Sequence, residues 1–368
     1  MRIGMIAPPW IPVPPPAYGG IESMVDVLAR GLAAAGHEVL LAAASGSSCP
    51  VTMLPGTQPG DGASVGSCSE ELRHCLIAHD SMGDVDVIHD HTLAGALCGR
   101  HLGIPRVVTA HGPFTSPFRE IYAEAATSSH LIAISEHQAS TAPAGTVSVV
   151  IHHGIDTGQI PFGAGRGGYA FFLGRMDPSK GVLQAMEAAE LAGLPLRIAA
   201  KMRTDAEKEY FAAVIRPRLG SGAEYLGEVT TEEKYRLLAD ATALINPLQW
   251  NEPFGLVMLE SLAAGTPVVA TPRGSVTEIV RPGETGFFSP TVRGLAGGLA
   301  AAGSLDRAAC RRSVQENFSS AGMVRKHIDL YLAVLDQPPL RSRAPSDEAS
   351  EAGTVSQPGS VLAHSPRR

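Results

Sequence analysis

Short apolar runs alternate along this chain with stretches whose apolar residues recur every three or four positions. Side chains alternate across a strand and return to one helix face about every 3.6 residues, so the first pattern predicts strands and the second helices. Residues 2–7 read as a strand. Ile21, Met24, Val25, Leu28 and Leu32 then mark one face of a helix, which Gly36 closes before a strand over residues 38–43. Residues 85–89, 106–110, 131–134 and 147–151 continue the series. Residues 45–69, rich in Gly, Ser and Pro, read as a long surface loop.

The Gly-rich, aperiodic residues 157–168 read as a domain boundary. Beyond it the pattern repeats. Strands are predicted over 169–173, 196–200, 224–226, 243–246 and 267–270, with a helix over about 181–191. Thr230 and Glu233 fit a capping box for the helix that follows them. Residues 318–335 form a last amphipathic helix, and the Pro-, Ser- and charge-rich residues after it read as a disordered tail. Alternating strands and helices predict an α/β fold with parallel sheets, here two Rossmann-like doubly wound domains. The expected division is 1–160, 161–317, a helix over 318–336 returning to the first domain, and a tail over 337–368. Ligands bind such sheets beyond the carboxyl ends of the strands, so two facing domains make a cleft for a substrate of two parts.

Composition narrows the partners. At 368 residues and 44% hydrophobic content, two domains with real cores are affordable. The net charge of −7 argues against nucleic acid. Five cysteines without a C-x-x-C pair point to a reducing cytoplasm. The first residues, MRIGMIAPPW, lack the apolar core of a signal peptide, and no run is long and apolar enough to cross a bilayer. Membrane contact is therefore expected to be peripheral at most.

The chemistry concentrates in two stretches. In Trp250 to Val280, Pro253 suits a first helical position, giving a helix over 254–264 stopped by Gly265. The unpaired N–H groups of Phe254, Gly255 and Leu256 would then face an anion. Glu260 lies about two turns beyond Glu252, where a carboxylate suits two ribose hydroxyls. Plain dipole and surface roles explain the same two residues. In FFLGRMDPSKG, a strand ends near Leu173, and Arg175 and Lys180 offer a bidentate fork and a point charge for a diphosphate, or else solvated charges on a turn. His111 follows a strand and faces the cleft. Asp84 and Asp86 read as turn and strand-start residues rather than a metal-binding D-x-D, and His89, Asp90 and His91 lack a further ligand cluster. His152 and His153 read as solvated loop residues, Ser275 to Glu278 as a capping box, and Arg311, Arg312, Arg325 and Lys326 as solvated faces. Neither a G-x-S-x-G elbow nor a Walker loop is present.

Together, GR…KG and EPFG…E…GTPVV resemble the family 4 glycosyltransferases of the GT-B fold, with Glu252 and Glu260 at their E-x7-E spacing. Tyr18-Gly19-Gly20-Ile21-Glu22, DVIHDH (86–91), VTAHG (108–112), VVIHHGID (149–156) and residues 270–287 match in the same order, so the resemblance spans about residues 1–335. It is similar in flavour to sugar transferases of bacterial natural-product and cell-surface pathways. The resemblance implies a nucleotide-sugar donor, a small-molecule, lipid or glycan acceptor, retention of anomeric configuration, and no metal or other cofactor. It assigns Arg175 and Lys180 to the diphosphate, Phe254, Gly255 and Leu256 to the distal phosphate, and Glu260 to the ribose. Glu252 and His111 would contact the transferred sugar, and Gly19 and Gly20 would let the ligands approach the first domain. Lys201 stands where many relatives carry glycine, Asn246-Pro247 where a Ser-containing turn is common, and the Pro-rich run 8–16 where acceptors often bind. Rival readings are a GT-B sugar-nucleotide epimerase or phosphorylase and a non-catalytic donor-binding partner.

Overall fold

The computed structural model describes residues 1–17, 19–55, 57, 66–99, 102–220 and 222–337. Tyr18 and the expected tail beyond residue 337 lie outside them. The first domain carries β1 (Arg2–Ile6), β2 (Glu38–Ala42), β3 (Thr52–Met53), β4 (Val87–Asp90), β5 (Arg106–Ala110), β6 (His130–Ala133) and β7 (Val149–Val150). Its helices are α1 (Gly20–Ala34), α2 (Cys68–Asp80), α3 (Phe118–Ala125) and α4 (Glu136–Ser140). The second domain carries β8 (Ala170–Arg175), β9 (Leu196–Lys201), β10 (Ala223–Gly227), β11 (Ala243–Asn246), β12 (Val268–Ala270) and β13 (Gly286–Phe288). Around them lie α5 (Val182–Ala192), α6 (Asp205–Tyr210), α7 (Thr231–Asp240), α8 (Leu256–Ala263), α9 (Val276–Ile279), α10 (Val292–Ala302) and α11 (Arg307–Asn317). The last helix is α12 (Ser320–Leu335).

Both sheets are parallel, in the orders β3-β2-β1-β4-β5-β6-β7 and β10-β9-β8-β11-β12-β13. Helices cover both faces, which is why strands such as β5 are buried at every position. The strand order reverses beside β1 in one sheet and beside β8 in the other, and the carboxyl ends at these two points face each other across the cleft.

The chain crosses between domains twice, and the crossings are tied together. Ile155 N–H donates to Phe318 O at 3.0 Å and Ser320 N–H to Ile155 O at 3.0 Å. A Cβ on Gly154 would lie 2.5 Å from Ser319 O, so this approach requires glycine. After the second crossing α12 packs on α1, and Met323, Val324, Tyr331 and Val334 join the core of the first domain. Gly31 makes room, since a side chain there would overlap Val324.

Several local expectations change. The loop read over 45–69 contains β3 in its described part, an edge strand of two residues that is too short to show periodicity. Thr230 caps α7 through Glu233 N–H, while the full reciprocal box belongs to Thr204 and Glu207 at α6. Arg311 is not a solvated charge. Its guanidinium bonds Ile160 O and Ala263 O at 2.9 Å each, holding the end of α8 to the interdomain linker. Helix α8 begins two residues later than Pro253 implied, because Gly255 takes a left-handed conformation (φ 91°) and serves as its N-cap.

Candidate functional site

The cleft between the domains holds a cavity of about 200 Å³ lined from both sides. From the first domain come Gly19, Gly20 and His111, and from the second Lys180, Glu252, Phe254, Gly255, Leu256 and Glu260. Nine of the ten residues singled out in the sequence thus meet at one place; Arg175 is not among those lining it.

Two helices aim their N-termini here. In α8, Met258 N–H turns back to Gly255 O at 3.0 Å, which leaves the N–H groups of Gly255, Leu256 and Val257 without backbone partners among the described residues. The N–H of Phe254 also lacks a backbone partner among the described residues, so the free donors run from Phe254 to Val257, one residue further than expected, with Phe254 ahead of the helix and its ring buried. In α1, Ser23 N–H bonds Gly19 O at 3.0 Å, and Gly20 and Ile21 are unpaired in the same way. A methyl on Gly20 would sit 3.6 Å from Leu256 Cδ1, so the two N-termini are near neighbours. Both helix dipoles make this end of the cleft attractive to negative charge.

The second domain supplies charged side chains, each already paired. Lys180 is brought in by β8 and a short turn in which Gly181 (φ 78°) packs so closely on Pro247 that any side chain would overlap it. Lys180 Nζ lies 2.7 Å from Glu252 Oε2 and 5.4 Å from the centre of the Trp250 ring. Lys234 Nζ lies 2.5 Å from Glu260 Oε1. Arg175 ends β8 but turns to Glu207 Oε1 at 3.0 Å, whose other oxygen accepts from the N–H groups of Arg203 and Thr204. A buried carboxylate thus holds the guanidinium.

The first domain supplies neutral rings. His111 Nε2 lies 3.1 Å from His91 Nδ1, and the His91 ring packs tilted against His89, their centres 4.0 Å apart. His89 is held between the Tyr331 hydroxyl at 2.7 Å and Thr109 Oγ1 at 2.8 Å. Beyond His111, His153 stacks at 5.4 Å and meets the Phe254 ring edge-on at 5.2 Å. Burial, reinforced by the neighbouring histidines, holds His89, His91, His111 and His153 well below the ordinary histidine value.

His152 and His153 are therefore not solvated loop residues. His153 is buried, and His152 Nε2 bonds Glu278 Oε2 at 2.7 Å. Nor do Ser275 and Glu278 form a capping box. The Ser275 hydroxyl donates to Phe254 O, and Glu278 accepts the N–H groups of Glu136 and His137 at 2.9 and 2.8 Å. Its carboxylate bridges from α9 to the start of α4 in the other domain. Burial pushes the Glu278 carboxyl up, but the hydrogen bonds from His152, His137 and Glu136 outweigh it and leave it below the ordinary value. A local spacing that fits a cap cannot show that the partner lies about 140 residues away.

Asp84 and Asp86 both hold Arg2, through its guanidinium and its backbone N–H respectively, and so tie the entries of β1 and β4 together. Among the described residues no group of three or more His, Cys, Asp or Glu is placed to hold a metal ion, and no helix is long and apolar enough to cross a membrane. Sequence reasoning treated Asn246 as a departure and missed Trp250. Both line the cleft, and Asn246 Nδ2 and Trp250 Nε1 are buried without a hydrogen-bond partner. A polar residue at the carboxyl end of a strand was the available signal for Asn246.

Two doubly wound domains with an interdomain cleft, lined by cations, helix N-termini and paired carboxylates, define a glycosyltransferase of the GT-B fold. The model described as Glycosyltransferase Family 4 matches residues 18–159, and that described as Glycosyl transferases group 1 matches residues 164–302. The chain belongs to glycosyltransferase family 4. It is 28% identical over 376 residues to a glycogen synthase of Mycobacterium tuberculosis, covering 85% of this chain and 88% of that one. The crystal structure of AviGT4, a glycosyltransferase involved in avilamycin A biosynthesis, matches with a TM-score of 0.68 at 26% identity, covering 91% of this chain and 98% of that one. Anabaena HepE in complex with UDP and glucose matches in fold with a TM-score of 0.71 at 18% identity, covering 90% of this chain and 100% of that one.

Proposed function

We propose that this chain transfers a sugar from a nucleoside diphosphate donor to an acceptor hydroxyl, with retention of configuration and without a metal ion. The observation that carries the reading is the convergence of Lys180 and the N-termini of α1 and α8 on one cleft, opposite His111. As the glycosidic bond breaks, negative charge grows on the departing diphosphate. A fixed cation and oriented N–H groups stabilise that charge, each donor contributing on the order of 3 kcal/mol. They supply what a metal would otherwise provide.

In this reading Lys180 and the N–H groups of Phe254, Gly255, Leu256 and Val257 hold the phosphates. Arg175 joins them by leaving Glu207. Glu260 takes the ribose hydroxyls in place of Lys234, and Glu252 and His111 contact the sugar on either side. Gly19 and Gly20 let the donor phosphate and the acceptor approach the first domain, and a side chain at Gly19 would also crowd Pro15 at 2.8 Å. HepE, with UDP and glucose bound, supports a nucleotide-sugar donor. AviGT4, from avilamycin A biosynthesis, supports a natural-product acceptor; a cell-surface glycan or lipid precursor is the other acceptor class we infer. The absence of a disulfide among five free cysteines fits action in the cytoplasm.

The test is thermal unfolding with UDP, GDP, dTDP and ADP, each with and without magnesium. A ligand at a hundredfold excess over its dissociation constant stabilises the fold by about 2.7 kcal/mol. One nucleotide should shift the transition equally with and without magnesium. No shift with any of them would remove the diphosphate site, and a shift that needs magnesium would remove metal independence.

A further inference from the structure

His91 has no place in the machinery described above, yet it touches the sugar-facing histidine. Its backbone N–H is fixed to Ile6 O at 2.9 Å, just past the end of β4, and its ring is buried between His89 and His111. His91 Nδ1 and His111 Nε2, 3.1 Å apart, share one hydrogen bond. Both rings are kept neutral by burial. One proton therefore lies between them, and its owner decides what His111 presents on its other side. His111 lines the cleft, and its Nδ1 has no partner among the described residues.

The choice is made at the far end of His91. Its Nε2 is buried with no hydrogen-bond partner. If that nitrogen carried the proton, a buried N–H would be orphaned. If it carries a bare lone pair, the cost is lower, because unmet acceptors are tolerated better than unmet donors. His91 thus keeps its proton on Nδ1 and donates to His111 Nε2, which forces the proton of His111 onto Nδ1.

We propose that His91 is a positioning residue that locks His111 as its Nδ1–H tautomer, so that His111 offers the donor sugar a hydrogen bond and cannot act as a base. This rests on the reading of His111 as the sugar-contacting residue. The lock explains why an imidazole is buried at position 91 at all, where desolvation opposes its charged form and no solvent meets its second nitrogen.

The test uses ring-nitrogen NMR of the full chain labelled with 15N-histidine, with His111 assigned from its loss in His111→Asn, together with kinetics on His91→Phe and His91→Asn. Phenylalanine keeps the bulk and removes the donor; the asparagine amide stands close to where Nδ1 was and restores it. Wild-type His111 should carry its proton on Nδ1. His91→Phe should lose that preference and about tenfold in kcat, the worth of one oriented neutral hydrogen bond, with binding of the nucleoside diphosphate unchanged. His91→Asn should recover both. A proton on Nε2 of wild-type His111, or a His91→Phe variant with unaltered tautomer and kcat, would overturn the proposal. If His111→Asn itself leaves transfer intact, the assignment of His111 has failed instead.

Discussion

The two walls of the cleft solve the same problem in opposite ways. The second domain faces it with full charges, Lys180, Glu252, Lys234 and Glu260, each neutralised by a partner in the cleft itself. The first domain faces it with packed imidazoles that burial keeps uncharged. A paired charge can be redirected, because an incoming phosphate or hydroxyl exchanges for the partner at little net cost. A neutral ring cannot repel a sugar or compete for the phosphates, and serves best as a fixed hydrogen-bonding surface. One wall is built to trade partners and the other to stay still.

The largest expected effect tests the neutral wall. His89, His91, His111 and His153 have folded values depressed below about 6.5, and burial brings His327 down to about 4. Below that ordinary value the unfolded chain takes up protons that the folded chain refuses. Their stabilising effect is complete above about pH 6.5 and is lost as pH falls, at up to about 1.4 kcal/mol per pH unit for each ring. Chemical unfolding between about pH 7 and 5 should show this steep loss. A flat profile would mean that the rings are charged or solvated.

On the charged wall, Lys180→Ala should weaken nucleoside diphosphate binding on the order of 100-fold, the scale of about 3 kcal/mol for one fixed donor. Arg175→Ala should cost only about tenfold in the same titration, since part of the gain from Arg175 is offset by breaking its bond to Glu207. The reverse order would mean that Arg175 leads at the diphosphate. Glu278→Gln, which weakens the bridge between α9 and α4, should lower stability by about 1–2 kcal/mol. The Glu278 carboxyl is depressed in the fold, so its contribution is present above about pH 4.5 and is lost as pH falls through its folded value. The gap between wild type and variant should close in acid, and a gap independent of pH would assign the effect to packing. The smallest expected effect is that of a chelator, which should leave sugar transfer unchanged. Loss restored by a divalent ion would return the charged wall to a metal.

Much of this was legible in the sequence because it is local or periodic. Most strands of both sheets follow from short apolar runs, the short β3 and β13 excepted, and the turn that presents Lys180 and the glycine before α8 follow from residue types at fixed spacing. What the sequence concealed depends on pairing at a distance. Glu278 looked like half of a cap because Ser275 stands three residues before it, while its partners come from Glu136, His137 and His152. His153 looked solvated because a His-His-Gly turn normally is, while here it is buried between His111 and Phe254. Arg175 looked free for a phosphate, because the Glu207 that holds it lies on α6. The start of α8 was misplaced by two residues because proline at a first helical turn and glycine at an N-cap compete, and the left-handed Gly255 decided it.

The most direct test is calorimetric titration of a nucleoside diphosphate and of its parent nucleoside into wild type and Lys180→Ala, using the base that the thermal-shift panel selects. Wild type should prefer the diphosphate strongly, and the variant should lose most of this preference while keeping its affinity for the nucleoside. Equal losses for both ligands, or no preference in wild type, would contradict the claim that Lys180 and the helix N-termini form a diphosphate site.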